Sequence, residues 1–403
     1  MLTRLFPALA VLALLTTSAT AQPITLRTGL LLDGKGNTLH NQLVTIESTR
    51  ITSITPATTN APTYDLQNLT LLPGLIDTHV HIGAHFDNGR LANTAAEPPA
   101  DRALHDAETA NTLLMAGFTT VQSIGAQTDL ALRAAIARGL PGPRLLTSST
   151  PLTDATLTPA QIRDYVRKTA ADGADVIKIF ATKSIREGGG QTLSDAQIAA
   201  ACDEARARGK RIWVHAHAAS AVRASALAGC TAVTHGFQIA DAEAQLMASR
   251  GTFFEPQTGL LLQNYIENKQ RFFGIGNYNE AGFKFMEDSI PVTLAVFKMA
   301  AKHRDLKIIM GTDGGAGAHG QNAREIIFRV NQGGQPAMDA IVGATSLNAS
   351  ALGLSDRIGA LAPNMDADLI AVDGDPLTDI TALQRVVFVM RGGKVYKNIA
   401  PPR

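Results

Sequence analysis

From residue 73 the chain alternates two textures. Short apolar runs rich in β-branched and aromatic residues recur: "GLIDTHV", "FTTVQSI", "GPRLLTS", "ADVIKIF", "RIWVHAHA", "TAVTHG", "GTFFEPQ" and "LKIIMGTD". Between many of them lie amphipathic stretches such as "DAETANTLLMAG", "TDLALRAAIARG", "TPAQIRDYVRKTAADG" and "AQIAAACDEARARG". A continuous apolar run of this length reads as a buried strand, a 3.6-residue periodicity as a helix, and a terminal glycine as a helix stop. Eight strand-like runs in about 280 residues predict an α/β fold of the (β/α)8 TIM-barrel type, for which about 250 residues is typical.

The two ends of the chain read differently. Residues 22–72 hold short β-rich runs separated by Gly and Asn turns, and residues 359–403 return to β texture in "IGALAPNMDADLIAVDGDPL" and "VVFVMRGGKVYK". The ends are expected to pair into one small composite β-sandwich domain beside a catalytic barrel of residues 73–358. Residues 1–21, "MLTRLFPALAVLALLTTSATA", place Arg4 before an apolar stretch and close on a small-residue cleavage pattern. That is the form of a secretory signal peptide, and the apolar run is short for a membrane span. The expected location is therefore periplasmic or secreted, with no membrane attachment after cleavage.

Composition narrows the function. The balance of 36 Lys+Arg against 35 Asp+Glu gives a net charge of +1, which offers no electrostatic footprint for nucleic acid or an anionic membrane. Export permits disulfides, yet the only cysteines are Cys202 and Cys230, too few for a disulfide scaffold. The two could pair or stay as buried thiols.

The candidate chemistry lies in polar residues inside or at the ends of the apolar runs. In "GLIDTHVHIG", Asp77, His79 and His81 are two apart, so in a strand they share a face. Lys178 sits between Ile177 and Ile179; His215 and His217 end "RIWVHAHA"; His235 ends "TAVTHG"; Asp313 ends "LKIIMGTD". Each alone is a weak signal, since a strand aspartate is usually a cap or turn residue and a lysine can snorkel. Jointly they fall where a barrel collects its reactive groups, at the C-terminal ends of successive strands. A lysine between two isoleucines is costly as a cation, and burial favours its neutral amine. A neutral amine can take up carbon dioxide as a carbamate, an anion able to bridge two cations. Four histidines, one aspartate and one bridging carbamate then form a ligand set for two divalent metals, the imidazoles favouring zinc.

These segments, with "AGFTTV", "GADVIKI", "VHAHAASAVRASALAGCTAVTHG", "GTDGG", "HGQNAREI" and "ATSLNASALGLSDRIGALAPNMDADLIAVDGDPL", resemble the amidohydrolase superfamily. More narrowly they are similar to its secreted Xaa-Pro dipeptidase, imidazolonepropionase-like and ochratoxin-hydrolysing members, in order from about Leu71 to Val395. The resemblance implies a metal-bearing TIM barrel with a composite β domain. It implies that His79 and His81 hold the more buried metal and that Lys178 is the carboxylated bridge. His217 and His235 would hold the more exposed metal, with Asp313 as both ligand and proton carrier. His215 is read as lying behind them, or as a satisfied core histidine. The chain departs from the family pattern at Gln122-Ser123, in "SSTPLTDATLTPAQ" and at the triple glycine Gly188–Gly190.

The expected reaction is hydrolysis of an amide in a dipeptide or N-acyl amino acid by metal-activated hydroxide, Asp313 serving as general base and then general acid. A substrate carboxylate wants a cation near the mouth, for which Lys183 and Arg186 are candidates. His319, Tyr265 and Tyr278 are candidates for contact with substrate, and His319 also for stabilising the oxyanion. The expected partner is a small amide or dipeptide; a homo-oligomer is left open. A mononuclear deaminase or cyclic-amide hydrolase is the alternative, which a bridging lysine disfavours. A non-enzymatic binding or assembly role ranks last, because no ligand is missing.

Overall fold

A computed structural model describes residues 22–399 of the chain; the signal-peptide assignment to residues 1–21 lies outside the described residues. Seven of the eight apolar runs form strands: Leu75–Val80, Phe118–Ser123, Arg144–Thr147, Val176–Phe180, Arg211–Ala216, Ala232–His235 and Phe253–Glu255. They are nearly all buried and pair in parallel in two ladders, one of the first three strands and one of the last four. The ladders approach each other where Leu152 exchanges backbone hydrogen bonds with Lys178 and Phe180. Helices Pro99–Met115, Thr128–Ala137, Pro159–Ala171, Asp195–Ala207 and Ala219–Leu227 follow the predicted amphipathic stretches. Thr158 and Ser194 open two of these helices with reciprocal capping boxes to Gln161 and Gln197, which fixes where the chain turns from loop to helix.

The eighth run, "LKIIMGTD", differs from expectation. It forms no regular strand, only isolated parallel bridges, Ile308 to Phe254 on one side and Gly314 to Val80 on the other. Asp313, at its end, is left-handed with φ 52°. The run is nonetheless hydrogen-bonded to both neighbours, through Ile309 to Phe254 and through Thr78 to Met310.

Ile76, Ile124, Leu146, Val176, Trp213, Ala232, Phe253 and Ile309, one residue from each of the eight runs, pack in a single buried cluster. Side chains two apart on a strand share a face. Lys178, His215 and Glu255 thus follow Val176, Trp213 and Phe253 on the inward face, one step toward the strand ends.

The terminal segments come together. Strands Ile24–Leu32, Thr38–Glu47, Arg50–Pro56 and Tyr64–Pro73 join Leu369–Val372, Val386–Arg391 and Lys394–Asn398 in one seven-stranded sheet. The β texture of the two ends predicts a sandwich; the strands are joined in one ladder by antiparallel pairing of Leu369–Val372 with Tyr64–Pro73, and Ile46 and Ile51 from one side of it share a buried cluster with Phe388 and Met390 from the other. Arg144, at the start of its parallel strand, ties the sheet down by bonding Asp366 at 2.8 Å and Asp368 at 3.2 Å. Cys202 and Cys230, left undecided by the sequence, are disulfide-bonded. Among the described residues no helix is long and apolar enough to cross a membrane.

Candidate metal centre

His79, His81, Lys178, His215, His217, His235 and Asp313 all line one cavity. They form two groups whose ligand-type atoms lie within 4.8 Å of one another: His79, His81 and Asp313; and His215, His217 and His235. Lys178, 1 % exposed, lines the same space.

The first group is held by carboxylates. Asp313 Oδ1 lies 3.2 Å from His79 Nε2 and 2.8 Å from His81 Nε2. Burial would raise the Asp313 pKa, but the facing His79 and His81 rings overcome it and hold the carboxyl well below its usual range. Asp77, expected to face the same space, instead accepts bonds from Thr312 Oγ1 and Asn322 Nδ2, each at 2.7 Å, and from the backbone of Thr312 and His79. It fastens the first strand to the eighth run. Burial pushes its pKa up to about 6, against those hydrogen bonds.

Glu255 is the residue that sequence reasoning missed. It is fully buried. Its Oε1 lies 2.7 Å from His79 Nδ1, and its Oε2 accepts from Thr78 Oγ1 at 2.5 Å and Trp213 Nε1 at 3.1 Å. A carboxylate on one ring nitrogen of a ligand histidine fixes the tautomer and raises the basicity of the other nitrogen. Its signal was in the sequence: an acidic residue between Phe254 and Pro256 in an apolar run, the same anomaly as Lys178. A second signal was Gly311, where a Cβ would fall 2.4 Å from the Glu255 carboxyl carbon.

The second group has no such partners. Among the described residues, Lys178 Nζ, His217 Nδ1 and His235 Nε2 are buried atoms without a hydrogen bond. Burial brings the Lys178 pKa down to about 8 despite Asp313 and Glu255, and that of His217 down to about 3. Burial also pushes His215 and His235 well below the ordinary histidine value. The rings are neutral donors with lone pairs free, packed 4.5–4.7 Å apart by centroid. His215 spends Nε2 on the Lys183 carbonyl at 3.3 Å. His235 reaches the cluster from a left-handed backbone, φ 72°. Unpaired buried polar atoms cost roughly 1–3 kcal/mol each, and left-handed non-glycine residues about 1–3 kcal/mol each. Converging neutral imidazoles and a carboxylate are what divalent cations require, and Lys178 is an amine that burial makes far easier to deprotonate than an ordinary lysine.

A model of the amidohydrolase family matches residues 70–396. This chain belongs to that family. It is 24% identical over 421 aligned residues to an ochratoxinase of Aspergillus niger, covering 92% of this chain and 85% of the relative. Among solved structures it is similar to a Xaa-Pro dipeptidase with bound methionine in the active site, at TM-score 0.83 and 27% identity, covering 94% and 100% of the two chains. It also matches the crystal structure of the A. niger ochratoxinase, at TM-score 0.81 and 21% identity, covering 94% and 96%. The chain is a hydrolase acting on amide bonds.

The amidohydrolase's remaining candidate residues scatter. Arg186 and Tyr265 line the cavity. Arg186 lies over the Tyr278 ring at 4.2 Å and the Tyr265 ring at 5.5 Å, and donates from Nε to Asn277 Oδ1 at 2.6 Å. Tyr278 does not line the cavity but stacks behind Arg186. The Lys183 side chain is exposed, and only its carbonyl faces the histidines. His319 is not among the cavity-lining residues; its Nε2 contacts the Ala84 carbonyl at 2.9 Å, joining the loop after Asp313 to the loop after His81. Burial brings its pKa down to about 4.

Proposed function

We propose that this amidohydrolase is an exported binuclear enzyme that cleaves the amide bond of a dipeptide or N-acyl amino acid. The eight parallel runs, with one core residue from each in a common cluster, are read as a (β/α)8 barrel, residues 73–358, and the seven-stranded sheet as its composite companion domain. The observation that carries the proposal is the trio of unpaired buried atoms, Lys178 Nζ, His217 Nδ1 and His235 Nε2, facing the His79–His81–Asp313 group across one cavity.

His79, His81 and Asp313 would hold one divalent cation, His217 and His235 a second, both bridged by carboxylated Lys178. Zinc suits the imidazole-rich set. Carboxylation joins the neutral Lys178 amine to carbon dioxide and releases one proton. When bound, the cations supply Lewis acidity toward the amide carbonyl and acidify water. Asp313 takes the proton from the attacking water and returns it to the leaving nitrogen. Glu255, bonded to His79 Nδ1, would turn the Nε2 lone pair of that ring toward the cation. Arg186, held between tyrosines and Asn277, keeps its terminal nitrogens for the substrate carboxylate. The Cys202–Cys230 bridge fits an oxidising compartment and so supports export.

The test combines metal analysis with a screen of dipeptides and N-acyl amino acids on the protein lacking residues 1–21. Two zinc ions at the barrel mouth and turnover that collapses with Arg186→Ala through KM are expected. Full activity with one ion at that mouth would move the reading to mononuclear hydrolysis of a cyclic amide.

A further inference from the structure

A second cluster of metal-ligating groups lies outside the cavity just described. His85 follows the first strand by five residues, Glu97 precedes helix Pro99–Met115, and His105 lies in that helix. Their ligand atoms are all within 4.8 Å of one another. We propose that His85, Glu97 and His105 form a third divalent-cation site, suited to zinc, which staples the loop after the first strand to the helix that follows it.

The hydrogen bonding around His85 carries the argument. Its Nδ1 faces the Gly83 carbonyl at 3.1 Å, so that nitrogen donates. Its Nε2 faces Glu97 Oε1 at 3.0 Å. A neutral ring donating from Nδ1 presents a lone pair at Nε2, which opposes the carboxylate lone pair unless a second proton or a metal ion lies between them. His105 presents the same problem to the same oxygen, its Nε2 being 3.6 Å away. The two rings are stacked, 3.9 Å between centroids with planes 19° apart, so protonating both would press two imidazolium faces together. Lone pairs in near-parallel ring planes do not converge, so the part-exposed His105 ring must turn out of the stack for one dication to accept both nitrogen lone pairs and the carboxylate charge.

The remaining features fit a three-ligand site. Glu97 Oε2 is buried without a hydrogen bond among the described residues. The two histidines are the only cationic partners Glu97 has there, because Arg102, one turn away, pairs with Asp106 at 3.6 Å. Ligands held at zinc's bond length of about 2.0–2.1 Å in a tetrahedron are about 3.3 Å from one another, close to the 3.0 and 3.6 Å separations here. The Nδ1 contact to a backbone carbonyl is the outer bond that metal-bound histidines ordinarily make. The His105 side chain is 35% exposed, so a cation can enter from solvent and a water can fill the fourth position.

The site would act on a segment that borders the catalytic mouth. The intervening loop carries the small hairpin Phe86–Asp87 with Arg90–Leu91. Phe86 packs against Phe272 and under Arg271. Ala84 receives His319 from the other side. A cation joining His85 to Glu97 and His105 closes that loop and fixes where His81's strand ends.

The test is zinc stoichiometry by elemental analysis after gel filtration in zinc-free buffer, on the wild type, His105→Ala and Glu97→Gln. The wild type should hold one equivalent more than either variant, whatever the number at the barrel mouth, so this count stands apart from the binuclear reading. Added zinc should raise the Tm of the wild type at least twice as far as that of the variants. Equal retained zinc in all three proteins would overturn the proposal and leave the cluster as an imidazolium–carboxylate pair. Glu97→Gln preserves shape, so it separates loss of the site from misfolding.

Discussion

The two halves of the cavity are built on opposite electrostatic plans. On the side of the first strand, His79 and His81 lean on Asp313, and Glu255 backs His79. Burial there is offset by paired charge, and the His79 pKa ends above its ordinary value: burial and Lys178 push it down, and Asp313 with Glu255 outweigh them. Across the cavity, His217, His235 and Lys178 have no acidic contact within hydrogen-bonding reach, and burial drives all three toward neutrality. A half that is complete without a ligand can be a structural network. A half made only of unpaired donors that burial drives toward neutrality is complete only with something bound. The second half therefore carries more information about function, although the His-x-His pair of the first is easier to see in the sequence.

The largest effect belongs to Lys178, the group between the halves. Lys178→Ala should lose roughly 10³-fold or more in kcat/KM, about 4 kcal/mol at 1.36 kcal/mol per decade, a loss within what a metal contributes to charge stabilisation. Its metal-free Tm should change little, because relief of the buried amine's desolvation offsets the packing lost with the side chain. Short carboxylic acids supplied with zinc should restore part of the activity by occupying the bridging position. Lys178→Arg should stay inactive, since guanidinium remains charged and forms no carbamate. If Arg substitutes and acids do nothing, Lys178 is a plain cation serving Asp313 and Glu255.

An intermediate effect belongs to the paired half. Glu255→Gln keeps the shape but removes the charge behind His79 and turns an amide donor toward Trp213 Nε1 or Thr78 Oγ1. Metal affinity should drop about 10- to 100-fold, the usual cost of losing an outer carboxylate. Stability should fall by about 1–3 kcal/mol for the unpaired donor. Competition with a zinc chelator and thermal melts read the two separately. Unchanged affinity with lowered Tm would make Glu255 a core residue only.

How much of this was legible depends on what the signal was made of. The strands, most of the helices and the ligand-type residues were readable because each polar group broke an apolar run. Lys178 between Ile177 and Ile179 is the clearest case. Glu255 broke its run in the same way, yet one acidic residue beside a proline also reads as a turn. What marks it is contact with Thr78, Trp213 and His79, residues 42 to 177 positions away. The eighth run reads as a strand by composition, but it pairs with its neighbours only through isolated bridges at Ile308 and Gly314, and the regularity of pairing leaves no trace in apolar patterning. Lys183 and Arg186 were equivalent as sequence, two cations in one loop. Only the tyrosines contributed by a distant segment select Arg186. The single sheet made of both chain ends was legible in its membership but not in its ladder, because register is decided by pairing partners far apart in sequence.

The smallest predicted effect tests the bare half without touching a ligand. Gly189, in the triple glycine Gly188–Gly190, has φ 68°, and a Cβ there would lie 2.7 Å from the His217 Cβ. A Cβ is not the far end of a flexible chain, so either the loop or His217 must move. Left-handed backbone adds about 1–2 kcal/mol for an alanine. Gly189→Ala should therefore lower kcat about tenfold by displacing one imidazole a few tenths of an ångström, a cost of about 1.4 kcal/mol, with zinc content retained. At the neighbouring Gly190 a Cβ would meet nothing within 4 Å, and the backbone there has no positive φ, so Gly190→Ala serves as the control and should match the wild type. Were the two variants equally active, the position of His217 would not be set by this loop, and the unpartnered half of the cavity would owe its geometry to its strands alone.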